Sequence, residues 1–128
     1  INGGFGWAHN QVIIDALKSE NPPRFIYLLN PDTIVYPGAV EALRRVFDRD
    51  PRIACVGSQL VNVDGTLGGS AFRFPGLRRE LAKGTGIDLI RRLLGLSPDV
   101  VLTTRVQQVD WVTGASVMIR LEALKQVG

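Results

Sequence analysis

Cysteine, histidine and long apolar runs are scarce in this chain of 128 residues. Its one cysteine, Cys55, has no second cysteine with which to form an internal disulfide, and the apolar run around it predicts a buried structural thiol. With His9 as the one histidine, the sequence has no Cys/His cluster for zinc and is a poor match to a Ser-His-Asp hydrolase. No run of about 18 apolar residues is present, so the sequence predicts no membrane-spanning helix.

The net charge is modest, at +3, but the basic residues are unevenly spread. One stretch contains six of them: Arg73, Arg78, Arg79, Lys83, Arg91 and Arg92. Apolar residues lie between them. This pattern is typical of a segment that lies on an anionic membrane surface or binds a diphosphate. It is also typical of a solvated helix in which the aliphatic parts of the basic side chains cover the core. Few aromatic residues and no recognisable binding motif argue against nucleic acid as a partner.

Helical and strand patterns alternate along the chain. Helices are predicted over about 7–19 and 38–49 and from Leu121, and strands over about 25–30, 53–60 and 106–119. Asp64-Gly65 predicts a turn. This alternation predicts an α/β fold with a mostly parallel sheet flanked by helices, and the length predicts a single domain over residues 1–128.

The apolar run 25–29 stops abruptly at Asn30-Pro31-Asp32-Thr33. The run predicts a buried strand, and in open α/β sheets ligands bind at the carboxyl ends of the strands. A carboxylate there, with a side-chain amide two residues earlier, can hold Mg²⁺ or Mn²⁺ together with a sugar hydroxyl. Asp32 is therefore the first candidate for a metal ligand, with the metal in turn free to bind a substrate diphosphate. The alternative is a strand-to-helix turn in which Thr33 or Asp32 caps the backbone.

Glycines are frequent in residues 2–10, ahead of a helical pattern. Glycines before a helix allow backbone N–H groups to approach a phosphate or a ribose. The segment is not a dinucleotide fingerprint, because His9 stands where the third glycine belongs, and no Gly-Lys-Ser/Thr follows as in a Walker loop. An ordinary glycine turn that opens a surface helix remains the alternative.

Together these segments resemble the family 2 glycosyltransferases of the GT-A fold, especially the rhamnosyltransferase-like branch. The resemblance rests on blocks in the same order along the chain: N-G-G-F-G-x-A-x-N at 2–10, L-L-N-P-D-T at 28–33, P-G-A-V at 37–40, V-G at 56–57, D-G at 64–65, D-W-V-T-G-A-S-V-M-I-R at 110–120 and L-K-Q-V-G at 124–128. Val12 departs from the pattern, since the family usually has glycine there, and His9 replaces a common asparagine.

The resemblance implies roles for the matching residues. The donor-binding set is Gly4, Phe5, Asn10, Asn30 and Asp32. Asp32 would be the metal-binding carboxylate of a D-x-D-like element, with Mg²⁺ or Mn²⁺ as cofactor. The acceptor side would comprise Trp111, Gly114 and Ala115. Asp110 is a tempting general base, but a buried or capping role suits it equally, so no catalytic base is assigned.

The resemblance further implies that the chain is the central part of a catalytic domain, with a GT-A-like sheet incomplete at both ends. An earlier βαβ unit with the base-binding aspartate and a later Glu-Asp pair with the catalytic base would lie outside it. The fragment alone is then expected to be inactive. Because the missing elements would leave apolar sheet surface exposed, we also expect self-association.

The implied function is transfer of a sugar from a nucleotide-diphosphate donor to a saccharide or lipid-linked acceptor, inverting and metal-dependent, in cell-envelope polysaccharide synthesis. The implied location is the cytoplasm, with peripheral contact at the inner face of the membrane. The alternative is a non-catalytic nucleotide-sugar-binding or scaffold module. A sugar-phosphate nucleotidyltransferase would need a basic residue in its glycine-rich loop, which residues 3–10 lack.

Overall fold

The structure, a computed structural model, describes residues 4–74 and 99–127. The elements of the described residues are α1 Gly4–Lys18, β1 Phe25–Leu29, α2 Ala39–Phe47, β2 Cys55–Gly57, β3 Ala71–Phe72, β4 Trp111–Val112, β5 Ser116–Arg120 and α3 Leu121–Val127. The described residues divide into two compact units: unit 1 contains residues 4–58 and 113–127, and unit 2 contains residues 59–74 and 99–112.

The sheet of unit 1 has the strand order β1-β5-β2. β5 lies in the middle and is antiparallel to both neighbours, with Phe25 opposite Arg120 on one side and Cys55 opposite Ile119 on the other. β1 and β2 therefore run in the same direction but do not pair with each other. The prediction of a mostly parallel, GT-A-like sheet is wrong. Alternating helices and strands give a parallel sheet only when strands that are consecutive in the chain pair with each other. Here β5, from much later in the chain, lies between the consecutive strands β1 and β2.

α2 covers one face of this sheet. Leu43, Val46 and Phe47 are buried, and their spacing of three and four residues places them on one side of the helix. Leu43 and Phe47 form a core with Met118 of β5, and the ring centroids of Phe25 and Phe47 lie 4.6 Å apart. The core of unit 1 is thus built from α2 and the facing residues of three strands.

Cys55 is exposed, so the prediction of a buried thiol is wrong. Side chains alternate between the two faces of a strand. Val56 packs against the core formed with α2, and this directs Cys55 to the opposite face. β2 is also an outer strand of the three-stranded sheet. An apolar run in the sequence therefore does not guarantee burial of each of its members.

Unit 2 contains the antiparallel pair β3 and β4, in which Phe72 lies opposite Trp111. The predicted turn at Asp64-Gly65 is confirmed. Gly65 has φ of 84°, and the Asp64 carboxylate accepts hydrogen bonds from the Thr66 backbone N–H and hydroxyl. Val61 and Leu67 form a bridge on either side of this turn. The strand predicted over 106–119 is divided into β4 and β5, with a turn at Gly114 and Ala115 between them.

Most of the basic stretch lies outside the described residues, which include Arg73 but not Arg78, Arg79, Lys83, Arg91 or Arg92. Among the helices of residues 4–74 and 99–127, none is both long enough and apolar enough to cross a membrane.

Candidate functional site

The turn after β1 is fixed by backbone hydrogen bonds. The Asn30 N–H donates to the Ala115 carbonyl at 2.9 Å, which extends the pairing of β1 with β5 by one residue. The Asn30 carbonyl accepts from the Thr33 N–H at 3.2 Å and from the Thr33 hydroxyl at 2.7 Å. Thr33 is therefore the residue that caps this turn, and the Asp32 side chain is not needed for it.

The Asp32 carboxylate is exposed. Within residues 4–74 and 99–127 it makes no hydrogen bond and no ion pair, and the Asn30 side-chain amide likewise makes no hydrogen bond. Ile34 and Tyr36, which follow this turn in the chain, are 88% and 64% exposed. One carboxylate and one side-chain amide, both sources of hard oxygen ligands, thus lie two residues apart directly after the carboxyl end of β1.

A metal at this position would rest on few protein ligands. In the described part of the chain, no three His, Cys, Asp or Glu residues are grouped closely enough to hold a metal ion. Mg²⁺ commonly binds through one or two carboxylates and completes its coordination with water and substrate phosphates. The donor set of Asp32 and Asn30 fits that kind of ion, and it does not fit a metal enclosed by protein ligands alone.

Two predicted site residues from distant blocks of the sequence are brought together in unit 1. Asn30, predicted on the donor side, is hydrogen-bonded through its backbone to Ala115, predicted on the acceptor side. Gly114 lies next to Ala115 in the turn that enters β5 and is exposed. Trp111 belongs to unit 2.

The remaining donor-binding candidates, Gly4, Phe5 and Asn10, all lie in α1. The helix begins at Gly4, where φ is 83°, rather than near residue 7 as predicted. The segment expected to form a glycine loop is therefore largely the first two turns of a helix. Its exposed residues include Asn10 and Trp7, the latter 55% exposed.

Three hydroxyl groups that the sequence analysis did not single out meet beside this turn. The Ser116 hydroxyl lies 2.9 Å from the Tyr27 hydroxyl and 2.7 Å from the Ser58 hydroxyl. Ser116 is 5% exposed, and its carbonyl also accepts from the Ser58 N–H at 3.0 Å. This hydroxyl cluster (Tyr27, Ser58 and Ser116) links β1, β5 and the residue that directly follows β2, toward the end of β1 that leads to Asn30. The sequence signal that could have indicated this cluster is Ser116, a polar residue at an inward-facing position of a strand.

In unit 2, the aromatic rings of Phe72 and Trp111 are stacked, with centroids 4.0 Å apart and planes inclined by 12°. The neighbouring Asp110 carboxylate accepts from the Phe74 N–H at 2.7 Å and lies 3.4 Å from an Arg73 guanidinium nitrogen. Asp110 therefore holds a backbone N–H of the neighbouring segment, as in the capping interpretation, and the geometry of the described residues assigns it no second role.

A cavity of about 230 Å³ lies elsewhere in unit 1. Its lining consists of Pro22, Pro23, Arg24, Arg120, Leu121, Glu122 and Lys125. None of these is a predicted site residue, and they lie at the opposite end of β1 from Asp32. The candidate site at Asp32 therefore lies on the exposed surface after the carboxyl end of β1, and this cavity is not part of it.

No family model, curated protein or solved structure matches the chain.

Proposed function

We propose that the chain carries the donor-binding part of a nucleotide-sugar-dependent glycosyltransferase. The observation that carries the proposal is the exposed Asp32 carboxylate, which has no hydrogen bond or ion pair with the described residues and follows Asn30 by two residues on the turn that the bond from Asn30 to Ala115 fixes. The sequence resemblance to family 2 glycosyltransferases supports the same assignment. A GT-A-like parallel sheet forms no part of this proposal.

Each residue has a distinct role in the proposed site. Asp32 and Asn30 would hold Mg²⁺ or Mn²⁺, with Asn30 also facing the ribose or sugar of the donor. When bound there, such an ion would act as a Lewis acid toward the diphosphate leaving group. Thr33 keeps the turn in the conformation that leaves Asp32 free, through its two hydrogen bonds to the Asn30 carbonyl. We assign no catalytic base to the chain.

The acceptor in this proposal is a saccharide or a lipid-linked saccharide, and the process is the synthesis of cell-envelope polysaccharide. The proposed location is cytoplasmic, with peripheral contact at the inner face of the membrane. Nucleic acid is not among the proposed partners.

One observation favours a second candidate, a non-catalytic nucleotide-sugar-binding or scaffold module. Among the described residues, Asp32 belongs to no group of three or more His, Cys, Asp or Glu side chains that could hold a metal ion. A binding module needs the donor contacts alone, whereas an enzyme needs a general base that contributes about 10²–10⁴-fold to the rate.

Calorimetry with Mn²⁺ and a panel of UDP, GDP and dTDP tests the metal site. We expect Asp32→Ala to weaken Mn²⁺-dependent nucleotide binding about tenfold or more, equivalent to about 1.4 kcal/mol, while the fold is retained. Asp15→Ala is the matched control, because Asp15 is an exposed aspartate on α1. Unchanged affinity in Asp32→Ala, or an equal loss in Asp15→Ala, would remove Asp32 from the site.

A further inference from the structure

Arg24 and Arg120 place two positive charges against one aromatic ring in unit 1. Their guanidinium carbons lie 5.4 and 5.6 Å from the centre of the Phe25 ring, and Arg120 is the cross-strand partner of Phe25. Each contact with the ring is favourable, but the two like charges repel each other. Neither guanidinium forms an ion pair with a carboxylate of residues 4–74 and 99–127. An anion bound to both would offset this repulsion.

The Arg120 side chain is held in place by the end of α2 and the segment that follows it. Its Nε–H donates to the Ile53 carbonyl at 3.0 Å, and Nη2 donates to the Phe47 carbonyl at 3.3 Å. The guanidinium also lies 5.1 Å from the centre of the Phe47 ring. A guanidinium has five N–H donors, and those on Nη1 have no partner among the described residues. Because the group is fixed before any ligand arrives, binding to these donors requires little further ordering.

The same two arginines line the cavity of about 230 Å³ at the start of β1. The other lining residues are Pro22, Pro23, Leu121, Glu122 and Lys125. Three basic residues against one acidic residue leave the lining with a net charge of +2. The Lys125 ammonium lies 3.4 Å from the Glu122 carboxylate, so these two side chains offset each other and the arginines carry the excess charge. The cavity therefore combines positive charge with an apolar lining of two prolines and a leucine.

We propose that this cavity binds a small phosphate monoester. Arginine matches phosphate oxygens with parallel N–H donors, so Arg24 and Arg120 would hold the phosphoryl group. A phosphate monoester carries a charge of about −1.5 to −2 near pH 7, which matches the net charge of the lining, whereas a carboxylate supplies a single negative charge. The organic group of the ester would lie against Pro22, Pro23 and Leu121.

The size of the cavity limits the ligand. Sites for drug-sized ligands commonly have volumes of about 300–1,000 Å³, and this cavity is smaller. Its volume suits an ester with a short or single-ring organic group rather than a nucleoside diphosphate. The cavity also lies at the opposite end of β1 from Asp32, so this proposal does not depend on the proposed donor site or on a metal ion.

NMR titration of the chain in metal-free buffer tests the cavity directly. The probe is phenyl phosphate, and we expect the amide resonances of Arg24, Leu121 and Lys125 to shift with saturation at about 1 mM. The amide resonance of Asp32 is expected to stay in place. Inorganic phosphate should bind more weakly, because it has no organic group for the apolar lining. Benzoate should also bind more weakly, because it carries less charge, and phenol should not bind.

Variants of the charged lining separate binding from folding. Glu122→Gln removes the acidic residue of the lining and is expected to tighten phenyl phosphate binding several-fold, a gain that loss of folding cannot produce. Arg24→Gln is expected to weaken binding about tenfold through the loss of charge-assisted hydrogen bonds. Arg49→Gln is the matched control, because Arg49 is an exposed arginine of unit 1 that does not line the cavity, and its affinity should be unchanged. Arg120 is not substituted, because it also holds the end of α2.

Four results would overturn the phosphate site: no saturable shift up to the solubility limit of phenyl phosphate, equal affinity for benzoate, equal losses in Arg24→Gln and Arg49→Gln, or weaker binding in Glu122→Gln. Binding to phosphatidate vesicles without binding of phenyl phosphate would also reject a small ester, in favour of a lipid headgroup. The Asp32 experiment is independent of these. Loss of nucleotide binding in Asp32→Ala together with a silent cavity would reject this site and retain the proposed function, and the reverse pattern would do the opposite.

Discussion

At the residue scale, the availability of the Asp32 carboxylate depends on which groups make the backbone hydrogen bonds of its turn. The Asn30 carbonyl is occupied by Thr33 and the Asn30 N–H by Ala115, so the backbone of the turn is bonded without a contribution from the Asp32 side chain. Turns of this kind often use an aspartate as the local acceptor. Because Thr33 takes that role here, the Asp32 carboxylate is left available for a ligand.

Ser116 of the hydroxyl cluster gives a test at the same scale. Ser116→Ala removes the common partner of the Tyr27 and Ser58 hydroxyls, so we expect a loss of about 1–3 kcal/mol in the free energy of unfolding. Tyr27→Phe leaves the contact between Ser58 and Ser116 intact, and we expect a smaller loss, near the ~1 kcal/mol of a single hydrogen bond. Urea titrations of the two variants measure both values. Equal stability of Ser116→Ala and the unsubstituted chain would show that the cluster is not a stabilising network.

At the scale of single elements, α2 combines a buried apolar side with an ion-paired exposed side. The Glu41 carboxylate accepts from Arg44 at 2.9 and 3.0 Å and from Arg45 at 3.1 Å. These hydrogen bonds hold the pKa of Glu41 at about 2, below its ordinary value of 4.5. A negative charge in the first turn and positive charges in the last turn also suit the helix dipole.

The lowered pKa of Glu41 has a consequence for stability against acid. A carboxyl group whose pKa is lowered by folding stabilises the folded state at pH values above its unfolded pKa. That contribution is lost as the pH falls from about 4.5 to about 2. We expect Glu41→Gln to reduce the dependence of the denaturation midpoint on pH in this interval.

Asp50 also has its pKa lowered to about 2, by Arg52, so part of the pH dependence should remain in Glu41→Gln. Glu20→Gln is the control, because Glu20 is exposed and makes no ion pair with the described residues. The measurement is the denaturation midpoint at several pH values for the unsubstituted chain, Glu41→Gln and Glu20→Gln. An unchanged pH profile in Glu41→Gln would contradict the assignment of this effect to α2.

At the scale of the whole molecule, the three-stranded sheet of unit 1 has β1 and β2 as its outer strands. β1 is entirely apolar in sequence, Phe-Ile-Tyr-Leu-Leu, and has no charged residue or proline within it. Such an outer strand can pair with another chain, since charge and proline are the usual features that prevent this. Leu29, at the end of β1, is 39% exposed.

We therefore expect the chain to self-associate through the outer edge of β1, which pairs with no other strand among the described residues. Sedimentation velocity should show a weight-average mass that rises with protein concentration. Leu29→Lys is expected to reduce this rise by adding a charge to the strand. Val63→Lys is the matched control, because Val63 is fully exposed beside the Asp64-Gly65 turn of unit 2. Monomeric behaviour of the unsubstituted chain at all concentrations would count against the edge as an interface.

Several local features could be predicted from the sequence because their causes are local. The apolar run of β1, the apolar side of α2, the Asp64-Gly65 turn and a helix from Leu121 each depend on neighbours within a few residues. Asp32 was singled out for the same reason, as a polar residue directly after an apolar strand. The start of α1 was placed about three residues late, because glycines at 4 and 6 resemble a loop in the sequence but are accommodated in the helix.

The arrangement of these parts was decided by tertiary structure. β5 lies between β1 and β2, and this made the sheet antiparallel and directed Cys55 outward. The bond from Asn30 to Ala115, the hydroxyl cluster and the stack of Phe72 on Trp111 all join residues far apart in the chain. The physical reason is the range of the interactions: side-chain periodicity and turn preferences act over a few residues, whereas strand order depends on which distant segments bury their apolar faces together.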